Sequence, residues 1–308
     1  MISKRLLKTA IIKTLVYADL FDYPLTKDEL WQRLQLESQP AYLNQKLFTD
    51  ILEKEVLKGK LNKETKFYFL PNRRSICQLR QRRQKWAKAK SISLQKFTKW
   101  AERLPSIRLL AVSGGLAMEN THKNDDIDLL IITARKRLWL TRFLLIMIAE
   151  SLSIRRRPKD KRPKDKICLN IFLDESALKI PLDKRTLYTA HEMIQIKPIV
   201  VKEKIYERFL ATNSNWIKKF LPNSSVSKNI SLPEIKRSKN KVKEILRQLL
   251  RSCFDFLEMI IYKLQFHYMK PRLTRETISA SMAFFHPRDT GKEVLQKFEN
   301  RLAVALER

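Results

Sequence analysis

Two closely spaced aspartates are the residues of this sequence whose type and spacing are best suited to chemistry. Asp126 and Asp128 are separated by one residue at the start of an apolar segment. Because side chains alternate faces along a strand, both carboxylates point to the same face, with their Cα atoms about 7 Å apart. Such groups repel each other unless a cation lies between them, and Mg²⁺ binds carboxylate oxygens together with substrate phosphates. The pair therefore predicts a Mg²⁺ site for phosphoryl or nucleotidyl transfer.

The alternative interpretation of these carboxylates is structural. Residues 123–126 read Lys-Asn-Asp-Asp, a polar turn that leads into a strand. Asp125 fits that alternative well. Asp128 does not, because apolar residues flank it inside the predicted strand.

Adjacent glycines precede this strand along the chain. Gly114 and Gly115 are two of only four glycines, and they directly follow an apolar segment. Glycine lets the backbone turn sharply and approach a ligand without a Cβ in the way. A helix is predicted to begin at Leu116, where free N–H groups suit a phosphate, and the Ser113 hydroxyl adds a further donor. On its own, a strand–glycine–helix junction is more often an ordinary turn. The prediction of phosphate binding therefore depends on the nearby carboxylates.

The elements around these residues predict an α/β fold of the α+β kind, with a small mixed sheet. Strands are predicted over 107–112, 127–132 and 167–173, and the second is apolar on both faces, as is typical of a central strand. The apolar segment 138–152 contains Arg142 and is shorter than the roughly 20 residues of a membrane span, so it predicts a helix buried against the sheet. The predicted units are residues 1–72, a basic connecting helix 73–104, a core 105–181 and a helical C-terminal region 182–308.

The first 72 residues predict three helices followed by a hairpin. Thr26 and Glu29 form a capping box at the start of the second helix. Pro40 suits the first turn of the third helix. Residues 60–61 pair with 67–70 across a turn at 62–65. This order is typical of a winged helix-turn-helix, a fold that binds DNA in some proteins and other proteins elsewhere.

The charge of the chain predicts a polyanionic partner. There are 63 lysines and arginines against 32 aspartates and glutamates, a formal net charge of +31. Such an excess attracts nucleic acids through phosphate contacts, although compositional bias of the genome is an alternative source of lysine. The tandem Arg-Pro-Lys-Asp-Lys repeat at 157–166 is either a solvated loop or part of that contact.

The cysteines and the N-terminal segment predict a cytoplasmic protein that has no membrane partner. Cys77, Cys168 and Cys253 are odd in number and far apart, so they predict neither a disulfide framework nor a Cys-x-x-Cys metal site. Lys13 and Asp19 interrupt any signal-like apolar core near the N-terminus.

The glycine and aspartate motifs together carry a resemblance. The segment Val112–Gly115, ten further residues and the segment Asp126–Leu129 resemble the signature of the polymerase-beta-like nucleotidyltransferase superfamily. The whole chain also resembles predicted bacterial nucleotidyltransferases that join an N-terminal winged helix to this core. The resemblance implies that the glycines hold a nucleoside triphosphate and that the two aspartates bind two Mg²⁺ ions.

One position departs from the signature. The family places a third carboxylate on a neighbouring strand, where this sequence has Asn170. An asparagine can coordinate through its amide oxygen, but it has no charge and cannot accept a proton. Asp174 faces the same way and lies about 13 Å further along the strand. The next helix contains His191 and Glu192, which are either pocket-lining residues or, more often, ordinary helix residues.

Two functions follow from the resemblance and its departure. The first is Mg²⁺-dependent transfer of a nucleoside monophosphate from a nucleoside triphosphate to a hydroxyl group, with Asp126, Asp128 and Asn170 at the reacting centre. The alternative is a nucleic-acid-binding regulator that senses nucleotide through a catalytically weakened site. The intact aspartate pair favours the enzyme, whereas Asn170 favours the regulator.

Overall fold

The computed structural model describes residues 3–36, 44–157, 160–226, 241–285 and 289–307; over residues 241–251 it describes the backbone alone. It combines helices and mixed sheets, in agreement with the expected α+β class. The helices are α1 Lys4–Asp19, α2 Lys27–Gln32, α3 Gln45–Leu57, α4 Ser75–Ala101, α5 Gly114–Ala117, α6 Leu138–Ser151, α7 Leu187–Gln195, α8 Ile205–Phe220, α9 Lys241–Met269 and α10 Thr290–Glu307. The strands are β1 Leu25–Thr26, β2 Asn62–Glu64, β3 Phe67–Phe69, β4 Ile107–Val112, β5 Ile127–Thr133, β6 Ile167–Asp174, β7 Lys197–Val201, β8 Thr277–Ile278 and β9 Met282–Phe284.

The N-terminal residues form three helices and a small antiparallel sheet with the strand order β1-β3-β2. The capping box predicted at Thr26 and Glu29 is present. The first arm of the hairpin is expected too early, because Asn62–Glu64, expected to lie in the turn, is the first strand. The second arm, expected at 67–70, agrees with β3. The expected start of the third helix near Pro40 lies outside the described residues, and α3 begins at Gln45 behind an Asn44 cap.

Side chains of helix α4 contact both this N-terminal part and the loop that leads into β5. Its buried face carries cations, each of which has an acceptor. Arg80 pairs with Glu29, with 2.8 Å between Nη2 and Oε1. Lys90 Nζ lies 3.0 Å from a carboxylate oxygen of Asp165 and also bonds the Asp125 carbonyl. The helix therefore fixes the start of β5 against the N-terminal helices.

The larger sheet has six strands in the order β7-β4-β5-β6-β9-β8. Strand β5 lies between β4, which is antiparallel to it, and β6, which is parallel. Helix α6 connects β5 to β6, as a crossover between parallel strands requires. The residues of β5 from Leu129 to Ile132 have no solvent exposure, which confirms the predicted central strand.

Three strands were missed in the sequence after residue 182, where only helices were expected. Strand β7 pairs antiparallel with β4, and the short strands β8 and β9 extend the sheet beyond β6. Each is five residues or shorter, which is too short for an alternating pattern to mark it. Strands β7 and β9 pair with partners that are distant in sequence, whereas β8 pairs with the neighbouring β9. The region is therefore mixed rather than wholly helical.

Helix α6 agrees with the prediction of a buried apolar helix. It spans Leu138–Ser151, and Leu138, Trp139 and Leu145 are fully buried in the cluster that packs on the larger sheet. In the part of the chain that the structure describes, none of the helices has the length and apolarity needed to cross a membrane.

Candidate functional site

The predicted carboxylate pair converges at the beginning of β5. Asp126 immediately precedes the strand, and Asp128 is its second residue. One carboxylate oxygen from each lies within 4.8 Å of the other and of Cys168 Sγ. Cys168 is opposite Asp128 in the parallel β5–β6 register, so it joins the cluster through sheet pairing. The sequence predicted the aspartate pair but not the cysteine.

The carboxylates of this cluster are only partly compensated by positive charge. Burial, followed by repulsion from Asp126, raises the pKa of Asp128 to about 7. Arg156 compensates Asp126 in part, with 2.7 Å between Nε and Oδ2. Burial and the neighbouring carboxylates also raise the pKa of the Cys168 thiol. A divalent cation at the two carboxylates would offset the repulsion, and oxygen ligands suit Mg²⁺.

The glycine turn lies directly against Asp128. Gly114 has a φ of +60°, in the left-handed region that favours glycine, and a Cβ built there would lie 3.3 Å from Asp128 Oδ2. A Cβ on Gly115 would lie 3.3 Å from the carbonyl oxygen of Asn120. The helix expected from Leu116 begins at Gly114 and is only four residues long. The turn therefore offers close backbone approach rather than the dipole of a long helix.

A cavity of about 1000 Å³ opens beside this turn. Its walls come from α1, the β4–α5 turn, α7 and α10. Five of the six predicted site residues line it: Ser113, Gly114, Gly115, Asp128 and Asn170. The sixth, Asp126, lies outside the lining and reaches the cavity through its cluster with Asp128. The volume is at the upper end of the range for small-molecule sites.

Asn170 contacts Asp128 directly. Its amide nitrogen donates a hydrogen bond to Asp128 Oδ1, and its amide oxygen accepts one from the Cys168 thiol at 3.2 Å. Asp174 has a different role, because its oxygens accept from the backbone amides of Lys136 and Ser176 in a turn. Asn170 therefore orients the Asp128 carboxylate, and Asp174 stabilises local structure away from the cavity.

A further carboxylate comes from helix α7. Glu192 lines the cavity, and its pKa is raised to about 7, first by burial and then by the charge of Asp128, while the Gly114 backbone amide partly offsets the rise. The sequence placed Glu192 on a helix that could line a pocket, but only the folded chain shows that it faces Asp128. Glu192 thus places a second carboxylate in the cavity wall near Asp128.

The neighbouring histidine is part of the wall of the cavity. The His191 ring stacks on Tyr17, with 4.2 Å between ring centroids, and its Nε2 lies 3.5 Å from Gln35 Nε2. Burial, followed by the charge of Arg33, lowers the pKa of His191 to about 3. The ring is therefore neutral at physiological pH and fixes α7 against α1.

Cationic side chains also line the cavity. Lys184 lies 5.4 Å from the centre of the Phe284 ring, and Lys292 projects from the first turn of α10. Arg275 lies 3.9 Å from Asp289. The lining of the cavity therefore carries charges of both signs, because the carboxylates of Asp128, Asp183, Glu192, Asp289 and Glu299 line it as well.

Comparisons with protein-family models, with curated proteins and with solved structures find no match to this chain.

Proposed function

We propose that this protein is a Mg²⁺-dependent nucleotidyltransferase that transfers a nucleoside monophosphate from a nucleoside triphosphate to a hydroxyl acceptor. The observation that carries the proposal is the contact between the glycine turn and the carboxylate pair: Gly114 packs against Asp128 at the wall of a cavity of about 1000 Å³. A turn free of side chains beside metal-binding carboxylates is the arrangement that a metal–triphosphate complex requires.

The same proposal assigns the fold. We assign β4 to β6 with α5 and α6 to a polymerase-beta-like core, which the order strand, glycine turn, strand, helix, strand supports. We assign residues 3–69 to a winged helix-turn-helix, which the three helices and the β1-β3-β2 sheet support. These assignments extend the resemblance in the sequence motifs to the whole arrangement of elements.

Asp126 and Asp128 are the residues that would hold the metal. Each has one oxygen engaged, by Arg156 and Asn170 respectively, which leaves the other oxygen as a ligand. A bound Mg²⁺ would neutralise charge on the triphosphate and on the attacking and leaving oxygens. With a metal at Asp126, the Arg156 guanidinium would be free to bind a phosphate oxygen.

The remaining steps use groups of the cavity. The acceptor oxygen attacks the α-phosphorus, the bond between that phosphorus and the bridging oxygen to the β-phosphate breaks, and pyrophosphate leaves with the electron pair. Lys184 and Lys292 would bind the triphosphate oxygens. Glu192 would accept the proton of the hydroxyl, because its pKa of about 7 suits a base at neutral pH.

The decisive experiment measures transfer of label from α-labelled triphosphates to candidate acceptors in the presence of Mg²⁺. We expect Asp126→Asn and Asp128→Asn to lower the rate by at least about 100-fold, as is common when charge stabilisation is lost. Asp50→Asn, the same change at an exposed position on α3, is the matched control and should retain full activity. Transfer that survives in both site variants would refute the assignment.

The role of Glu192 has a separate readout. Glu192→Gln keeps the shape of the side chain but cannot accept a proton, so kcat should fall while the dissociation constant of the metal–triphosphate complex stays the same. The acidic limb of the pH–rate profile should also disappear. A rise in KM at unchanged kcat would assign Glu192 to binding instead.

The regulator remains the second candidate, and one observation favours it. Arg156 and Asn170 already satisfy one oxygen of each carboxylate, which stabilises the pair without a reaction. A regulator would bind Mg²⁺ and triphosphate without turnover, and the bound nucleotide would change its affinity for nucleic acid. An affinity for nucleic acid that is identical with and without triphosphate would refute the regulator.

A further inference from the structure

The exposed face of α4 carries a line of cations. Helix Ser75–Ala101 contains no aspartate or glutamate in its 27 residues. Five of its basic side chains are exposed, and we call them the α4 stripe: Arg82, Lys85, Lys88, Lys96 and Lys99. At 1.5 Å per residue the stripe is about 25 Å long, and at 100° per residue it occupies an arc of about 120°.

The two faces of α4 differ in how their charges are compensated. The buried cations Arg80, Arg83 and Lys90 lie 2.8, 3.4 and 3.0 Å from carboxylate oxygens of other elements. Within the described residues, no member of the α4 stripe forms an ion pair with a carboxylate. Ordinary solvated helices alternate the two signs of charge, and like charges three or four residues apart destabilise a helix. The uncompensated stripe therefore indicates a polyanionic partner.

An aromatic side chain continues the stripe at the C-terminal end of α4. Trp100 is 50% exposed, and the Arg103 guanidinium lies 4.9 Å from the centre of its ring. Ring stacking on bases combined with a basic track for the backbone is how proteins bind single strands without sequence preference. The bases of a duplex are paired and stacked on each other, so they would leave this ring unused.

We propose that the α4 stripe and Trp100 form a binding surface for single-stranded nucleic acid. The phosphates lie along the line of cations, and one base stacks on Trp100. No residue of α4 lines the cavity, so this surface is separate from the proposed transfer site and does not depend on nucleotide transfer.

The test is fluorescence anisotropy with a labelled 20-nucleotide single strand, titrated at several salt concentrations with the full chain. The stripe variant replaces Lys85, Lys88 and Lys96 by glutamine. The control variant replaces the exposed residues Lys58, Lys219 and Lys297, which lie on or next to other helices, by glutamine. Both variants lose the same charge, so the comparison separates a local surface from net charge.

We expect the stripe variant to bind at least 10-fold more weakly and the control variant less than 3-fold. Each lost phosphate contact lowers the slope of log K against log salt by about 0.7, so the stripe variant should lose about 2. Trp100→Ala should weaken single-strand binding without changing that slope. Equal losses of affinity in the two triple variants would overturn the proposal that the α4 stripe is a binding surface. Tighter binding of a duplex, unaffected by Trp100→Ala, would overturn the single-strand assignment.

Discussion

The left-handed backbone of Gly114 and the burial of Asp128 belong to one arrangement. The turn passes close to the carboxylate, and a side chain at Gly114 would be both strained by the left-handed backbone and tightly packed against Asp128. A Cβ built on Gly114 would lie 3.3 Å from Asp128 Oδ2, which is a tight contact. The glycine therefore shapes the site as well as the chain reversal.

We predict that Gly114→Ala removes metal–triphosphate binding at a modest cost in stability. The left-handed conformation costs alanine about 1 to 2 kcal/mol, and the methyl group displaces the Asp128 carboxylate. Gly59→Ala is the matched control, because Gly59 has a φ of +70° and nothing within 4 Å of a built Cβ. Urea denaturation should show similar losses in both variants, whereas isothermal titration should show lost binding in Gly114→Ala alone. Equal binding in the two would contradict the contact.

The neutral state of His191 predicts a dependence of stability on pH. Its pKa is about 3 in the folded chain against 6.5 in the unfolded chain, so the unfolded state gains the proton as the pH falls below 6.5. The stabilisation is complete above pH 6.5 and is lost as the pH falls towards 3. This corresponds to about 1.4 kcal/mol per pH unit, or about 2 to 3 kcal/mol between pH 6.5 and 4.5.

His191→Phe keeps an aromatic ring against Tyr17 but cannot bind a proton. Urea denaturation at pH 7.5 and pH 4.5 should give a smaller difference for this variant than for the natural chain, by about 2 to 3 kcal/mol. The other ionisable groups titrate in both chains and cancel in the comparison. Parallel stability curves would show that His191 is accessible to protons in the fold.

The residues that could be predicted from sequence are those whose positions follow from local geometry. Asp126, Asp128 and the glycines belong to one strand–turn–strand segment, so spacing alone brings them together. Glu192 belongs to α7, and Arg156 belongs to the segment that leads into β6. Their positions beside the aspartates therefore depend on how these two segments pack against the sheet. Asn170 was correctly placed beside the pair, but its bond to Asp128 follows from the β5–β6 register.

At the scale of elements, α6 begins without a capping side chain of its own. Arg137, the residue before the helix, makes no side-chain cap. Glu258 of α9 supplies the cap instead, because its carboxylate accepts from the backbone amides of Trp139 and Leu140 at 2.6 and 2.9 Å. Helix α9 therefore fixes the helix that connects β5 to β6.

We predict that Glu258→Gln destabilises the protein by about 1 to 3 kcal/mol, because the amide leaves one buried backbone N–H without an acceptor. Asp255→Asn is the control on the same helix. Asp255 pairs at the surface with Lys136 and Arg137, and such pairs contribute about 1 kcal/mol or less. Chemical denaturation measures both values. A smaller loss for Glu258→Gln than for Asp255→Asn would contradict the capping role.

Elements with a strong periodic pattern could be predicted, and edge strands could not. Helix α4 was expected over 73–104 and spans Ser75–Ala101. Strands β4 and β5 matched their apolar segments almost residue for residue. Strand β7, with only five residues that are mostly exposed, has a side-chain pattern like that of a loop, and its pairing with β4 depends on contacts about 90 residues apart along the chain.

In the whole molecule, the cavity is enclosed by segments from both ends of the chain. Asp19, at the end of α1, accepts hydrogen bonds from Arg73 at 2.6 Å and from Arg301 of α10 at 2.7 Å. Phe298 of α10 is 8% exposed and packs edge-on against Tyr17, with 5.5 Å between ring centroids. The packing of α10 on α1 therefore completes a wall of the proposed binding site.

This packing predicts that Phe298→Ala weakens ligand binding from a distance. Removing a buried phenylalanine side chain costs about 3 kcal/mol or more, and here the loss falls on the contact between α10 and α1. Hydrogen exchange of α10 amides should become at least 10-fold faster, because local opening requires less free energy. Affinity for Mg²⁺–triphosphate should fall in the same variant, since Lys292 lies on the loosened helix.

Val304→Ala is the control for this effect, because Val304 lies on the same helix and is 52% exposed. It should leave both hydrogen exchange and affinity close to those of the natural chain. Bound Mg²⁺–triphosphate should in turn slow hydrogen exchange in α10 of the natural chain. A ligand that binds only when α10 is packed on α1 stabilises that packed state. Fast exchange in Phe298→Ala with unchanged affinity would mean that α10 covers the cavity without contacting the ligand, and Lys292 would then have no role in binding.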